Sequence, residues 1–227
     1  MKGFRKFQPD LIVEVTGVCD RACSGCYAPN MISKFSPVEL YRVKPEMFLT
    51  SDRLDDVLSG LKSNADSIAI RGGEPSRHPY LTDILRIAHK KAKQVYVETH
   101  ARWVLDESQA ANILTVCSDL GTTIKVSFDS MHGLSANDLK AITDRLSTAK
   151  IQWVVAITEN TEDKFLAIRA LCPWVLDNRI IFQKKAASLH ELIEPRIGII
   201  KLNGNLSRTL TVKSDFFLKP ALAGVGI

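Results

Sequence analysis

Three cysteines lie close together near the start of the chain, at Cys19, Cys23 and Cys26 in the stretch CDRACSGCY. The 227-residue chain contains only five cysteines, so this stretch holds most of its thiols. A disulfide uses two thiols, and a structural zinc ion usually takes four ligands. Thiolates also bind four-iron clusters, usually as four ligands, and three thiolates would leave one iron with an open coordination site. The spacing therefore indicates a metal-binding loop with room for one further ligand.

Two other interpretations of the cysteines stay open on spacing alone. A zinc site would need a fourth ligand, for which His78, His100 and His132 are the candidates. A redox dithiol needs Cys-x-x-Cys near a βαβ unit, and Cys23 and Cys26 satisfy that spacing. The choice depends on what the rest of the chain places beside this loop.

Apolar periodicity predicts the elements that position the cysteines. Strands are expected at 11–15, 67–70, 94–99, 123–129, 151–158 and 179–183, and helices at 51–62, 80–92, 106–120, 135–150 and 161–172, the first of them capped by Ser51. Strict alternation and strands that read as apolar on both faces favour a parallel sheet with helical crossovers. We therefore predict an α/β fold, a partial (β/α)6 TIM-like barrel. The cysteines follow the first strand, at the barrel face where active sites are built.

Two segments depart from this alternation. Residues 27–50 form a long insertion, a length typical of lids and binding loops. The stretch RIGIIKLNGNLSRTLTV predicts two strands around an Asn203-Gly204 turn. We expect a barrel core over residues 1–185 and a C-terminal hairpin extension over 186–227 that packs on the same domain.

A second motif, RGGEP at 71–75, directly follows the second predicted strand. Its two glycines would let the backbone approach a ligand without a side chain in the way. Glu74 offers a carboxylate that can accept a hydrogen bond from an ammonium group. Taken alone, the motif favours a Gly-Gly turn with a solvated glutamate.

Together the two motifs resemble those of the radical S-adenosylmethionine (radical SAM) superfamily, over roughly residues 10–185. The resemblance implies one 4Fe-4S cluster held by Cys19, Cys23 and Cys26. The amino and carboxylate groups of SAM would occupy the open iron. Such an oxidoreductase cleaves SAM reductively to a 5′-deoxyadenosyl radical, which takes a hydrogen atom from the substrate.

The resemblance also assigns residues to the cofactor. Gly72, Gly73 and Glu74 would line the methionine end of SAM, with Glu74 near its amino group. Thr99 and His100, in the stretch ETHA, end the third predicted strand where members often carry a Thr-Asn pair. Both residues are therefore expected to face the cofactor.

Later strand ends supply further candidates by the same resemblance. Ser127 would contact the ribose or the carboxylate of SAM, and Gln183 ends the sixth strand where a polar residue often contacts the cofactor. Asp129 and His132 are the candidate catalytic groups. The family's usual aromatic residue before the last cysteine is absent here. Tyr27 follows that cysteine and is the candidate for covering the adenine, with backbone contacts as the alternative.

The remaining cysteines and histidines have structural interpretations. Cys117 and Cys172 are expected to be small core residues. No cysteine lies beyond Cys172, so no auxiliary cluster is predicted. His78 is expected to be a loop contact and His89 a residue on a helix surface.

Composition limits the classes of partner and the cellular location that we expect for the chain. The net charge is +5, from 30 Lys+Arg against 25 Asp+Glu, and no basic run favours a nucleic-acid partner. No apolar run approaches the ~18 residues of a membrane span, and MKGFRKFQPD lacks the apolar stretch of a signal peptide, so a cytoplasmic protein is expected.

The expected substrate is a small peptide or metabolite in a biosynthetic pathway. An electron donor such as flavodoxin or ferredoxin is also expected. A glycyl-radical enzyme activase, a nucleoside- or RNA-modifying enzyme and a non-catalytic electron carrier are the alternatives.

Overall fold

The computed structural model describes residues 5–6, 9–23, 26, 31–32, 35–61, 63–129, 131–157, 162–182, 196–199, 201–202, 205–206 and 209–210. Its strands are β1 (Arg5–Lys6), β2 (Leu11–Glu14), β3 (Val18–Cys19), β4 (Met31–Ile32), β5 (Ala65–Arg71), β6 (Ala92–Thr99), β7 (Thr123–Ser127), β8 (Trp153–Ile157), β9 (Ile180–Phe182), β10 (Arg196–Ile199), β11 (Lys201–Leu202), β12 (Asn205–Leu206) and β13 (Thr209–Leu210). Its helices are α1 (Pro37–Val43), α2 (Ser51–Ser59), α3 (Leu81–Lys91), α4 (Glu107–Leu120), α5 (Ala136–Thr148) and α6 (Glu162–Leu171), with 3-10 turns at Pro45–Met47, Pro75–Arg77, Arg102–Leu105 and Asp177–Arg179. None of these helices is long and apolar enough to cross a membrane.

The predicted alternation of strands and helices is confirmed. The six predicted strands are β2 and β5 to β9, which lie side by side in the order β9-β8-β7-β6-β5-β2, and every neighbouring pair is parallel. The five predicted helices are α2 to α6, and each connects two consecutive strands of this set. The fold is therefore mixed α/β with a six-strand parallel sheet, consistent with a partial TIM-like barrel.

Local sequence sets the helix ends. Ser135 begins α5 with a capping box, in which its hydroxyl accepts from the backbone of Asp138 and the Asp138 carboxylate accepts from the backbone of Ser135. Gly121 ends α4 in the left-handed conformation, with φ of 70°. The prediction that Ser51 caps the first of these helices was wrong by one residue. The Thr50 hydroxyl accepts from Arg53 N, and Ser51 is the first helical residue.

All of the crossover helices pack against one face of the sheet. Leu11 and Val13 of β2 belong to a single buried core with Leu54 of α2, Leu85 of α3 and Leu139 of α5. Because side chains alternate along a strand, the other face of the sheet carries the residues between these positions.

The position of β1 shows that the sheet is curled. Only residues 7–10 separate β1 from β2, yet the order β1-β9-β8-β7-β6-β5-β2 places them at opposite ends of the parallel strands. In a flat sheet, neighbouring strands ~4.8 Å apart would put them ~29 Å apart. The backbone from Lys6 to Leu11 spans at most ~18 Å. The sheet must therefore curl with the helices outside, and the helix-free face becomes the interior.

The insertion at 27–50 contains more structure than a long loop. Its described part includes β4, α1 and a 3-10 turn, and Leu40, Met47 and Phe48 form a small second core with Val18. Backbone hydrogen bonds also join it to the segment after β2, from Gly17 N to Met47 O (3.2 Å) and from Leu49 N to Val15 O (2.8 Å). This insertion therefore supports the backbone that leads into the cysteines, and a lid role stays a prediction.

The C-terminal hairpin is confirmed in its backbone pairing. Strands β11 and β12 pair antiparallel with Leu202 opposite Asn205, so residues 203 and 204, which lie outside the described residues, connect them. Strand β10 pairs antiparallel with β13 on one side and with β2 on the other. Strands β10 and β13 thus extend the large sheet at the β2 edge, while β11 and β12 form a separate two-stranded sheet. The domain limits at 185 and 186 stay a prediction.

Candidate cofactor site

The cysteine loop starts at the end of β3, beyond the carboxyl end of β2. Cys19 is buried, and Cys23 and Cys26 are partly exposed. Burial raises the pKa of the Cys19 thiol to about 12, and the nearby charges of Glu74, Asp20 and Cys23 add to the rise. Burial also raises the pKa of Cys23. Metal binding would have to offset these effects, since it is the thiolate that binds a metal.

The Gly72-Gly73 turn packs directly against the backbone that leads into the cysteines. Gly73 N donates to Thr16 O (2.7 Å), and Glu74 N donates to Val18 O (2.8 Å). A Cβ atom on Gly72 would lie 2.4 Å from Thr16 O, and one on Gly73 would lie 2.2 Å from Val18 O. The two glycines are therefore required by contact with the protein's own backbone. Their predicted place beside a ligand stays a prediction.

Glu74 lies at the centre of a buried hydrogen-bond network. Its side chain is 1% exposed. Oε1 accepts from Thr99 Oγ1 (2.7 Å) and from Ser76 N (3.1 Å), and Oε2 accepts from His100 N (3.2 Å). Thr99 in turn accepts at Oγ1 from Ala101 N (2.8 Å). These bonds fix the orientation of the Glu74 carboxylate.

His100 joins the cysteine loop to Glu74. Its Nε2 lies 3.0 Å from Asp20 Oδ1 and 3.2 Å from Glu74 Oε2. Its Nδ1 accepts from Arg102 N (3.1 Å), so these hydrogen bonds assign the ring proton to Nε2. Burial acts to lower the pKa of His100, but the carboxylates of Glu74 and Asp20 outweigh it and raise the pKa. The hydrogen bond from His100 correspondingly lowers the pKa of Asp20.

Asp129 and His132 are brought together after β7. The His132 Nδ1 lies 2.6 Å from Asp129 Oδ1, which also accepts from Met131 N (3.0 Å). The charge of Asp129 reaches Cys23, where it adds to the rise in the pKa of that thiol. Ser127 ends β7 and is partly exposed. These three candidates therefore lie at the same edge of the sheet as the cysteine loop.

A pocket of about 360 Å³ opens beside the cysteine loop. Its walls come from that loop, from the turn after β6 and from the turn after β7, and are formed by Asp20, Arg21, Ala22, Cys23, His100, Arg102 and Met131. The predicted cofactor residues Tyr27 and Gln183 lie outside the described residues.

The donor set fits an iron–sulfur cluster. Three thiols lie in one short loop, and the Cys23 charge acts on Cys19 and the Cys26 charge on Cys23. Within the part of the chain that the structure describes, no three His, Cys, Asp or Glu side chains converge as the ligands of a single ion do. A four-iron cluster places each thiolate on a different iron and does not need such convergence.

The histidines weighed as zinc ligands have other partners. His78 is 3% exposed, and its Nε2 lies 2.8 Å from Leu49 O, which confirms the predicted loop contact. His100 and His132 lie against Asp20 and Asp129. His89 is on a helix as predicted but is not simply a surface residue, because it is half-buried and its Nε2 lies 2.9 Å from Thr122 Oγ1.

The other two cysteines belong to the core, as predicted. Cys117 of α4 and Cys172 after α6 are both fully buried among the apolar side chains between helices and sheet. Neither lies in the loops that form the candidate site.

Sequence reasoning missed a row of four charged residues, Glu14, Arg71, Glu98 and Lys125, across β2, β5, β6 and β7. Glu14 is in register with Arg71, Glu98 is in register with Lys125, and the β5–β6 register places Arg71 level with Glu98. Arg71 Nη2 lies 3.0 Å from Glu14 Oε1, and Lys125 Nζ lies 2.9 Å from Glu98 Oε1. Charges of alternating sign therefore line the helix-free face of four neighbouring strands.

This charged row corrects the expectation that the strands are apolar on both faces. Lys125 is fully buried, and burial lowers its pKa although Glu98 acts to raise it. On β7, Ser127 follows Lys125 by two residues on the same face, so Lys125 lies ~7 Å below the end of that strand. Each of the four residues was visible in the sequence, but the row follows only from the register between the strands.

In sequence, the chain matches no protein-family model and no curated protein. In structure, it is similar to native anSMEcpe with bound AdoMet, with a TM-score of 0.53, 15% identity, and coverage of 80% of this chain and 52% of that one. The similarity is one of fold. Native anSMEcpe with bound AdoMet and the Cp18Cys peptide gives a TM-score of 0.50 at 14% identity, with the same coverage. Streptococcus suis SuiB bound to precursor peptide SuiA gives 0.43 at 14% identity, with 76% of this chain and 48% of that one covered. The chain thus spans about half the length of these proteins.

Proposed function

We propose that the chain is a radical SAM enzyme, with one 4Fe-4S cluster held by Cys19, Cys23 and Cys26 and SAM on the open iron. The contact between the cysteine-bearing backbone and the Gly72–Glu74 turn carries this proposal. Gly73 N and Glu74 N donate to Thr16 O and Val18 O, so the turn meets the backbone that leads into the cysteines at the carboxyl end of the parallel sheet. The fold shared with SAM-bound anSMEcpe supports the same conclusion.

The chain's own residues would bind and orient the cofactor. Glu74, held by Thr99 and Ser76, would present its remaining acceptor capacity to the ammonium group of SAM. Ser127, Tyr27 and Gln183 would contact the rest of that molecule. Bound together, cluster and SAM would supply a 5′-deoxyadenosyl radical that takes a hydrogen atom from the substrate.

The proposed substrate is a small peptide or a polar metabolite. The charged row beneath the site supports a substrate with polar groups, because buried ion pairs are weak stabilisers of a fold and are often found at functional sites. The peptide bound to anSMEcpe supports the peptide alternative. Asp129 and His132, linked by a 2.6 Å hydrogen bond, would hold or move a proton on the substrate. A cytoplasmic electron donor such as flavodoxin or ferredoxin would complete the system.

The proposal is tested by SAM cleavage under strong reductant. The chain is reconstituted with iron and sulfide without oxygen, then reduced with dithionite in the presence of SAM. Formation of 5′-deoxyadenosine and methionine is followed by mass spectrometry. The wild type and Cys172→Ser should form both products slowly without substrate, while Cys23→Ala should form neither.

Each other outcome of this experiment has a clear meaning. A wild type that binds a cluster but forms no 5′-deoxyadenosine would be an electron carrier, which would overturn the proposal. Cleavage that a peptide pool accelerates, and a metabolite pool from the same cells does not, would support the peptide substrate. Acceleration only by a glycyl-radical enzyme or by RNA would replace this substrate class with that of an activase or an RNA modifier.

A further inference from the structure

The side chains of Asp20, His100 and Glu74 connect three separate loops. Asp20 directly follows Cys19, Glu74 lies in the turn after β5, and His100 follows β6. His100 Nε2 lies within 3.2 Å of a carboxylate oxygen on each side, 3.0 Å from Asp20 and 3.2 Å from Glu74. The Nε2 atom therefore forms a hydrogen bond with Asp20 and lies at ion-pair distance from Glu74, which belongs to a different part of the proposed site.

The His100 side of these contacts is sheltered from water. His100 is 5% exposed and Glu74 is 1% exposed, whereas the Asp20 side chain is 43% exposed. Hydrogen bonds with a charged partner are stronger than neutral ones. Low local dielectric strengthens the contact between His100 and Glu74, whereas water partly screens the contact with Asp20. The buried His100 ring thus contacts Asp20, a more exposed residue of the cysteine loop.

We propose that Asp20, His100 and Glu74 form a clasp that fixes the cysteine loop against the SAM-binding turn, with His100 as the positioning residue. This inference rests on the proposed function and changes one assignment within it. His100 was expected to face the cofactor, but both of its ring nitrogens have protein partners. Its role is to hold Cys19 and Glu74 in the relative positions that the cluster and SAM require.

The clasp makes a prediction for the metal-free chain that is independent of activity. Cys19 is 5% exposed, and the clasp keeps it so through its neighbour Asp20. In His100→Ala, labelling of Cys19 by iodoacetamide, resolved by mass spectrometry of the whole chain, should be about tenfold faster or more, which corresponds to loss of a hydrogen bond to a charged group. A change in local charge would not explain faster labelling of Cys19, because the carboxylates of Asp20 and Glu74 remain in this variant.

Two further variants separate the clasp from a general loss of stability. His100→Gln retains an N–H donor near the position of Nε2 and should restore most of the slow labelling. His89→Ala removes a half-buried histidine with one hydrogen bond, to Thr122, and should leave Cys19 labelling unchanged. Cys117, which is fully buried on α4, should label slowly in all of these variants. Fast labelling of Cys117 in His100→Ala would show that this variant is unfolded. The clasp is then tested by comparing Cys19 labelling in His100→Gln and His100→Asn. The shorter side chain of asparagine cannot reach both carboxylates.

A second measurement tests the link to SAM. In the reconstituted and reduced chain, SAM affinity followed by EPR titration should be about tenfold weaker in His100→Ala than in His89→Ala. The clasp would be overturned if Cys19 were labelled at the wild-type rate in His100→Ala. It would also be overturned if Cys19 were labelled at equal rates in His100→Gln and His100→Asn. A wild type that holds no cluster would overturn the proposed function, while the labelling result would still decide the clasp as a structural device.

Discussion

Gly72 and Gly73 have a role that the sequence only partly predicts. The motif RGGEP predicted a close approach of the backbone, and the structure shows that the approach is to the chain's own Thr16 and Val18 carbonyls. Glu74 was predicted to lie near the amino group of SAM, and its hydrogen bonds to Thr99 and Ser76 were not predicted. At the scale of single residues, the sequence predicts candidate groups, and the structure shows what holds those that it describes.

Gly73→Ala should therefore destabilise the protein without any cofactor present. Its Cβ would lie 2.2 Å from Val18 O, a backbone atom that cannot rotate away. We expect the free energy of unfolding to fall by about 1–3 kcal/mol or more, measured by urea denaturation of the metal-free chain. Gly60→Ala is the matched control, because φ is −71° there and the nearest atom is 3.4 Å away. It should be neutral or slightly stabilising, and equal losses in both variants would contradict the close contact described here.

Strand β7 shows what periodicity can and cannot predict for an element. Its stretch TIKVS is nearly all buried, so its place inside the sheet was predicted correctly from its apolar residues. Lys125 is buried as well, because it meets Glu98 on the neighbouring strand. The sequence of one strand cannot show this partner, since it comes from the register between β6 and β7. The whole charged row depends on register in the same way, so it could not be predicted from the separate strands.

Removal of one partner of the Lys125–Glu98 ion pair should destabilise the protein more than replacement of both partners by apolar residues. Lys125→Met leaves Glu98, which is 10% exposed, without its lysine, and we expect a loss of about 3 kcal/mol in the free energy of unfolding. The double variant Glu98→Leu/Lys125→Met should recover much of that loss, because two apolar side chains need no partner. Lys93→Met is the control, since its pair with Asp66 is exposed and should contribute little. A double variant less stable than the single one would contradict this account.

His78 connects the insertion to the barrel and should make its packing sensitive to acid. Its Nε2 donates to Leu49 O, and its Nδ1 accepts from Tyr80 N (3.1 Å), which requires a neutral ring. Burial lowers the pKa of His78 from 6.5 to about 4. Because the unfolded chain binds the proton more readily, this contribution to stability is complete above pH 6.5 and is lost as the pH falls towards 4.

The expected size of this effect is about 3 kcal/mol between pH 6.5 and pH 4. Urea denaturation at both pH values measures it. His78→Gln retains an N–H donor but does not titrate, so its free energy of unfolding should fall less over the same range by about that amount. The same pH dependence in both proteins would show that the His78 ring is not held neutral in the folded state.

At the scale of the whole molecule, curvature brings the site together. The alternation of strands and helices predicted the parallel sheet with helical crossovers, which is confirmed. The pairing of β1 with β9, which requires the sheet to curl, could not be predicted because two residues in a strand carry no periodic signal. The packing of the insertion on Val18 was likewise hidden, since its apolar residues are scattered along a long segment. The cysteine loop and the turn after β5 meet because β2 and β5 are neighbours in this sheet, which the predicted topology already contained.

The measurement that tests the central claim most directly is EPR spectroscopy, with iron analysis, of the anaerobically reconstituted and reduced chain before and after addition of SAM. The account predicts about four irons per chain and the EPR signal of a reduced 4Fe-4S cluster that changes when SAM is added. It also predicts that the iron is lost in the variant with Cys19, Cys23 and Cys26 all changed to Ala and retained in Cys117→Ser. Zinc as the bound metal, full iron content in the triple variant, or a cluster signal that SAM leaves unchanged would contradict it.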